Sequence, residues 1–131
     1  MSTDSSAPRF GVDLGGTAIK LGRVEGEQLV SRLEITTPHH AEQCLDAIAA
    51  GVRTLADGSP IHQLGIGVPG VISTARLQVS NAPNLEFLEK LPLVAMLRDR
   101  LDCPVLLEND ANAAAFGEAQ IQNQALQLTA N

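Results

Sequence analysis

Residues 105–119 read VLLENDANAAAFGEA, and the remainder of the chain can be ordered around them. Val105, Leu106 and Leu107 form the continuous apolar run that a buried parallel strand needs, and the alanine-rich segment after them has the composition of a closely packed helix. Glu108, Asn109 and Asp110 fall at the junction. In open α/β sheets ligands gather outside the carboxyl ends of the strands, so side chains at such a junction project into a crevice. The unpaired N–H groups and partial positive charge of a helix start favour an ionised carboxylate, and Asp110 is expected to be charged near neutral pH. Asn109 or Asp110 would serve equally well as a plain helix cap, because cap and catalytic base look identical at this level.

The 131 residues, 44% of them hydrophobic, suffice for one core and one ordinary domain. Residues 1–8, rich in Ser, are expected to be a disordered lead-in. From Arg9 onward Phe10, Val12 and Leu14 alternate with Gly11 and Asp13, the period of a strand, which runs straight into Gly15, Gly16 and Thr17. Alternation resumes through Ile19 and Leu21 and again from Leu29 to Ile35, which predicts a three-stranded antiparallel meander. Leu45, Ile48, Val52 and Leu55 recur at helical spacing and predict an amphipathic helix ending near Gly58. His39 and His40 precede it without ligand partners in sequence and read as a solvated helix entry. Leu64, Ile66 and Val68 predict a strand stopped by Pro69 and Gly70, followed by strand or extended loop over 71–80. Val94, Leu97 and Leu101 mark a second helix that must stop before Cys103 and Pro104. Residues 125–130 alternate like one more strand beginning.

Charge and composition exclude several classes of function. Nine basic residues against fifteen acidic ones give a net charge of −6, with no basic run to track a phosphate backbone, and three Phe without Tyr or Trp leave little for stacking on bases. Nucleic acid is therefore not expected as a partner. No apolar run is long enough to cross a bilayer and the first residues lack a signal-peptide core, so the expected setting is the cytoplasm, with no membrane partner. Cys44 and Cys103 form no C-x-x-C pair and read as buried reduced thiols.

Two phosphate-binding signatures can be set aside. Residues 65–70 fit G-x-G-x-x-G, but a dinucleotide fingerprint follows the first strand and opens a helix, and Pro69 with the β-branched residues after Gly70 opposes a helix start. A Walker A loop needs Lys followed by Ser or Thr after its second glycine, which is absent. The stretch Asp13, Leu14, Gly15, Gly16, Thr17 is more informative. Two glycines let backbone N–H groups approach an anion, Thr17 adds a hydroxyl, and a carboxylate at the strand end can hold Mg²⁺ against the same phosphate. A plain hairpin turn uses the same residues. Taken with the second carboxylate at 108–110, the loop supplies a phosphate end and a base end for one transfer reaction.

The segments GVDLGGTAIKLG (11–22), GIGVPGVIS (65–73), NAPNL (81–85) and ENDANAAAFGEA (108–119) together resemble the ROK (repressor, open reading frame, kinase) group of bacterial sugar kinases. The resemblance implies a ribonuclease H-like α/β domain of the actin and hexokinase superfamily, with a mixed sheet and flanking helices. It implies that Asp13, Gly15, Gly16 and Thr17 handle ATP phosphates, Asp13 also serving Mg²⁺, and that Asn109 and Asp110 bind hydroxyls of a hexose, glucose by default. Asp110 would in addition be the catalytic base, with Gly70 and Asn84 along the sugar pocket. Such kinases continue into a second domain with an E-x-G-H sugar-binding segment, a zinc site and the adenine pocket. The expectation is therefore an amino-terminal lobe over 9–123, with 124–131 beginning a missing carboxy-terminal lobe. By itself the lobe is expected to show little kinase activity, since closure over the substrate needs both lobes, and to self-associate as a homo-oligomer through its uncovered face.

Three rival readings stand beside this one. A repressor of the same group would carry a winged helix-turn-helix ahead of the first strand, where only a short tail occurs. A ribonuclease H-like nuclease would use Asp13, Glu108 and Asp110 to hold two metals, against the acidic charge and the scarcity of aromatics. A lobe that binds sugar or a partner without catalysis is the third.

Overall fold

The computed structural model describes residues 7–69, 71–73, 78–80, 82 and 84–109. Its frame is a five-stranded mixed sheet built from β1 (Arg9–Leu14), β2 (Ala18–Glu25), β3 (Gln28–Thr36), β4 (Leu64–Gly67) and a strand at Val105–Glu108. The last of these is β7, since β5 (Val71–Ser73) and β6 (Gln78–Ser80) pair antiparallel in a separate ribbon. The order across the sheet is β3-β2-β1-β4-β7. β1, β2 and β3 form the expected antiparallel meander, while β1, β4 and β7 run parallel. Three strands thus deliver their carboxyl ends to one edge. The helices α1 (Ala41–Ala56) and α2 (Leu93–Leu101) belong to the crossovers between the parallel strands.

Strand alternation divides the sheet into two unlike faces. Leu33, Leu21, Val12, Ile66 and Leu107 stand in register across all five strands, and they form one row of the apolar face. Against this face α1 lays Cys44, Leu45, Ile48, Val52 and Leu55, each buried. Truncating a fully buried leucine of this layer, such as Leu21 or Leu45, would cost about 2–5 kcal/mol. At Gly51 the helix meets the sheet so closely that a Cβ would lie 2.8 Å from Leu21 Cδ2. The opposite face is nearly bare in its middle, where Gly22, Gly11 and Gly65 align and are all buried.

Leu106 pairs with Gly65 and so belongs to the glycine face. This corrects the reading of 105–107 as wholly buried: β7 is the edge strand among the described residues and Leu106 is 41% exposed, whereas Leu107 is buried. The apolar run satisfies two faces with different surroundings. Within 71–80, Val71–Ser73 and Gln78–Ser80 pair as the short β5–β6 ribbon. Both cysteines are free and buried, as expected. The helix expected after β7, the strand expected over 125–130 and the lead-in at 1–6 lie outside the described residues.

Candidate functional site

At the carboxyl ends of the parallel strands the register brings Glu34, Lys20, Asp13, Gly67 and Glu108 into one row on the glycine face. Directly opposed residues in a sheet share a face and lie within about 5.5 Å at Cβ. Asp13 and Glu108 therefore flank Gly67, which has no side chain to fill the space between them. Asp13, Lys20 and Glu108 are each half-buried.

Immediately beyond Asp13, the glycine turn is drawn tight by the Gly15 N–H, which donates to Ala18 O at 3.1 Å. A Cβ at Gly15 would meet that same oxygen at 2.8 Å, so glycine is required by the close approach. The carbonyls of the turn are bound by the segment leaving β3. Thr37 Oγ1 donates to Gly15 O at 2.7 Å, Thr37 N–H donates to Thr17 O at 3.0 Å, and His39 Nε2 donates to Gly16 O at 2.8 Å. His39 lies edge-on to Phe87, with ring centroids 5.4 Å apart at 67°. Phe87 belongs to the 3₁₀ turn Glu86–Leu88, which follows Asn84.

Asn84 adopts a left-handed backbone at φ 63°, and a Cβ at Gly16 would lie 2.4 Å from Asn84 Cβ. The two loops are in contact only because residue 16 is glycine. Together with Thr17, Thr36, Thr37, His39, Glu86 and Phe87 they line a cavity of about 500 Å³. On the other side of the row the ends of β4 and β7 are stitched together: Val68 N–H donates to Glu108 O at 2.8 Å, and Asn109 Nδ2 donates to Val68 O at 3.2 Å.

Of the residues singled out from the sequence, Asp13 lies near the end of β1, Gly15, Gly16 and Thr17 form the turn just after it, Asn84 closes on that turn, and Asn109 directly follows β7. Gly70 and Asp110 lie outside the described residues. Thr37, His39 and Phe87 are additions. His39 is exposed, as a helix-entry residue would be, yet it bonds a loop 23 positions earlier.

Sheet order and strand-end crevice define a ribonuclease H-like α/β domain of the actin and hexokinase superfamily. Residues 9–129 match the ROK family, and the chain belongs to it. It is 41% identical over 110 residues to a glucokinase of Streptomyces coelicolor, a match covering 83% of this chain and 34% of that protein. An N-acetylmannosamine kinase of Haemophilus influenzae is 32% identical over 114 residues, covering 86% of this chain and 37% of that protein. Among solved structures, a ROK family glucokinase from Streptomyces griseus in complex with glucose and AMPPNP superposes with a TM-score of 0.75 at 39% identity, covering 87% of this chain and 36% of that one. The chain spans about a third of the length of the curated relatives it matches.

Proposed function

We propose that this chain is the amino-terminal lobe of an ATP-dependent hexose kinase, glucokinase-like, which transfers a phosphoryl group from ATP to a sugar hydroxyl. The observation that carries the proposal is the contact between the Gly15–Gly16–Thr17 turn and Asn84 beside the strand-end row of Asp13, Gly67 and Glu108. Phosphoryl transfer needs alignment, charge neutralisation and a carboxylate to accept the hydroxyl proton, and little else from the protein. In this reading Gly15, Gly16 and Thr17 cradle the ATP phosphates. Gly70, Asn84, Asn109 and Asp110 line the sugar site, and Asp110 is the base.

Asp13 is the residue that fits Mg²⁺. Among the described residues no group of three or more His, Cys, Asp or Glu could hold a metal by itself. Mg²⁺ suits that setting, because it is usually held by one or two carboxylates together with substrate phosphates and water. It would neutralise phosphate charge at this end of the site. Lobe boundaries at 9–123, with 124–131 leading into a second lobe, belong to the same proposal, as do a homo-oligomeric state and a cytoplasmic role in carbohydrate metabolism. Among the described residues no helix is long and apolar enough to cross a membrane. The similarity to glucokinases and N-acetylmannosamine kinases over about a third of their length supports the kinase reading and leaves the hexose to experiment.

The test is magnesium-dependent ADP formation by the complete gene product over a panel of hexoses including glucose and N-acetylmannosamine. Glucose is expected to be the best substrate, and Asp110→Asn is expected to lower kcat by roughly 10²–10⁴-fold with the melting temperature unchanged. Near-normal turnover in that variant would remove Asp110 as the base. Sugar binding without ADP formation by the unaltered protein would replace the kinase with a non-catalytic binding lobe.

A further inference from the structure

A trans peptide unit is planar, and its C=O and N–H point in opposite directions. The Gly15 carbonyl and the Gly16 N–H belong to one such unit, and the Gly16 carbonyl and the Thr17 N–H to the next. No peptide bond among the described residues is cis. A donor that fixes either carbonyl from one side therefore aims the following N–H to the other. Thr37 Oγ1 does this for the first unit and His39 Nε2 for the second, at 2.7 and 2.8 Å. The Gly15 N–H is already spent on Ala18 O, whereas no group among the described residues accepts from the N–H of Gly16 or Thr17.

We propose that Thr37 and His39 are positioning residues, which hold the Gly16 and Thr17 N–H groups in the direction from which they bind a nucleotide phosphate. The inference rests on the kinase reading of the turn and adds to it the groups that keep its donors aimed. Thr37 suits such a role, since it is the buried polar side chain among the described residues, at 2% exposure, and its hydroxyl would be costly there without a partner. His39 is exposed but held by the edge of its contact with Phe87, from the turn that also carries Asn84 toward Gly16. Without these two donors the peptide units can rotate, and a carbonyl oxygen facing a phosphate repels it.

The experiment titrates the complete gene product with magnesium AMPPNP and, separately, with glucose. His39→Phe keeps a ring against Phe87 and removes the donor, whereas His39→Gln keeps an N–H donor in nearly the same position and removes the ring. Thr37→Val and Thr37→Ser make the same distinction for the hydroxyl. His39→Phe and Thr37→Val are each expected to weaken AMPPNP binding about five- to tenfold, the loss of one well-placed hydrogen bond. Glucose binding without nucleotide should change less than about twofold, and His39→Gln and Thr37→Ser should recover most of the nucleotide affinity. Unchanged AMPPNP affinity in His39→Phe overturns the proposal, and so does an equal loss in His39→Phe and His39→Gln, which would assign the effect to ring packing. Should the buried Thr37→Val variant fail to fold, the exposed His39 pair decides alone. An unaltered protein that binds no AMPPNP defeats the phosphate-turn reading itself, and this inference with it, a result distinct from binding that ignores the substitutions.

Discussion

At Asn84 one residue meets two separate demands. Its backbone is left-handed, a conformation that Asn tolerates better than most side chains, and its Cβ packs where Gly16 leaves room. Backbone and side-chain roles can therefore be pulled apart. Asn84→Gly keeps the backbone conformation and removes the amide, so glucose affinity in the complete protein should fall about tenfold with little change in melting temperature. Asn84→Ala removes the same amide and adds the left-handed penalty, which should lower stability by a further ~1 kcal/mol in urea unfolding. Glucose titrations matching the parent in both variants would remove Asn84 from the sugar site. A methyl group at Gly16, by contrast, would displace Asn84 without touching any amide, since the two Cβ positions would be 2.4 Å apart.

Among the elements, α1 is held by the sheet along its middle and at its C-terminal end. Its apolar stripe accounts for the docking of its middle, but its C-terminal carbonyls need donors. Arg23 on β2 supplies them, donating to Leu55 O at 3.0 Å and Ala56 O at 2.9 Å and reaching Ser59 Oγ at 3.2 Å, with Glu25 holding the guanidinium at 2.8 Å. A cation at a helix C-terminus is also favoured by the helix dipole. Arg23→Ala should cost about 2–3 kcal/mol in urea unfolding, because two carbonyls lose charge-assisted partners. Arg23→Lys should recover only part of this, since one ammonium can meet the two carbonyls that Nη1 serves but not also Ser59 through Nη2 and Glu25 through Nε, as the planar guanidinium does. Equal stability in all three proteins would mean that water serves those carbonyls as well. On α2, Arg100 plays a comparable part between helices, joining Asp46 at 2.8 Å and Glu42 of α1. The Asp46 hydrogen bond, ahead of Glu42, holds its guanidinium above its ordinary pKa.

For the molecule as a whole, legibility in the sequence followed the range of the interactions. Period-two alternation marked β1, β2, β3 and β4, and helical spacing marked the buried stripes of α1 and α2, because those signals arise within a few residues. The Asp13 turn was visible through its glycines. The β5–β6 ribbon is too short to show a period, Leu106 could not reveal which face of β7 it would occupy, and Thr37 and His39 act across 22 and 23 positions without any local pattern. The cysteines were readable as buried, and burial has a consequence for global stability. Within α1 the Cys44 thiol is fully enclosed, and desolvation pushes its pKa from 9.0 up to about 11. Burial raises Cys103 as well, with the neighbouring Asp102 carboxylate adding to it. A thiol with a raised folded-state pKa leaves the native protein binding more protons than the unfolded chain as pH climbs. Its stabilisation is fully present below pH 9 and is lost as pH rises through about 11. Urea unfolding at intervals between pH 7 and 11 should show this decline in the parent and a shallower one in Cys44→Ala, which starts lower because of the cavity it leaves. Parallel pH profiles for the two proteins would mean that Cys44 ionises in the fold as readily as in water, and that the layer between α1 and the sheet admits solvent.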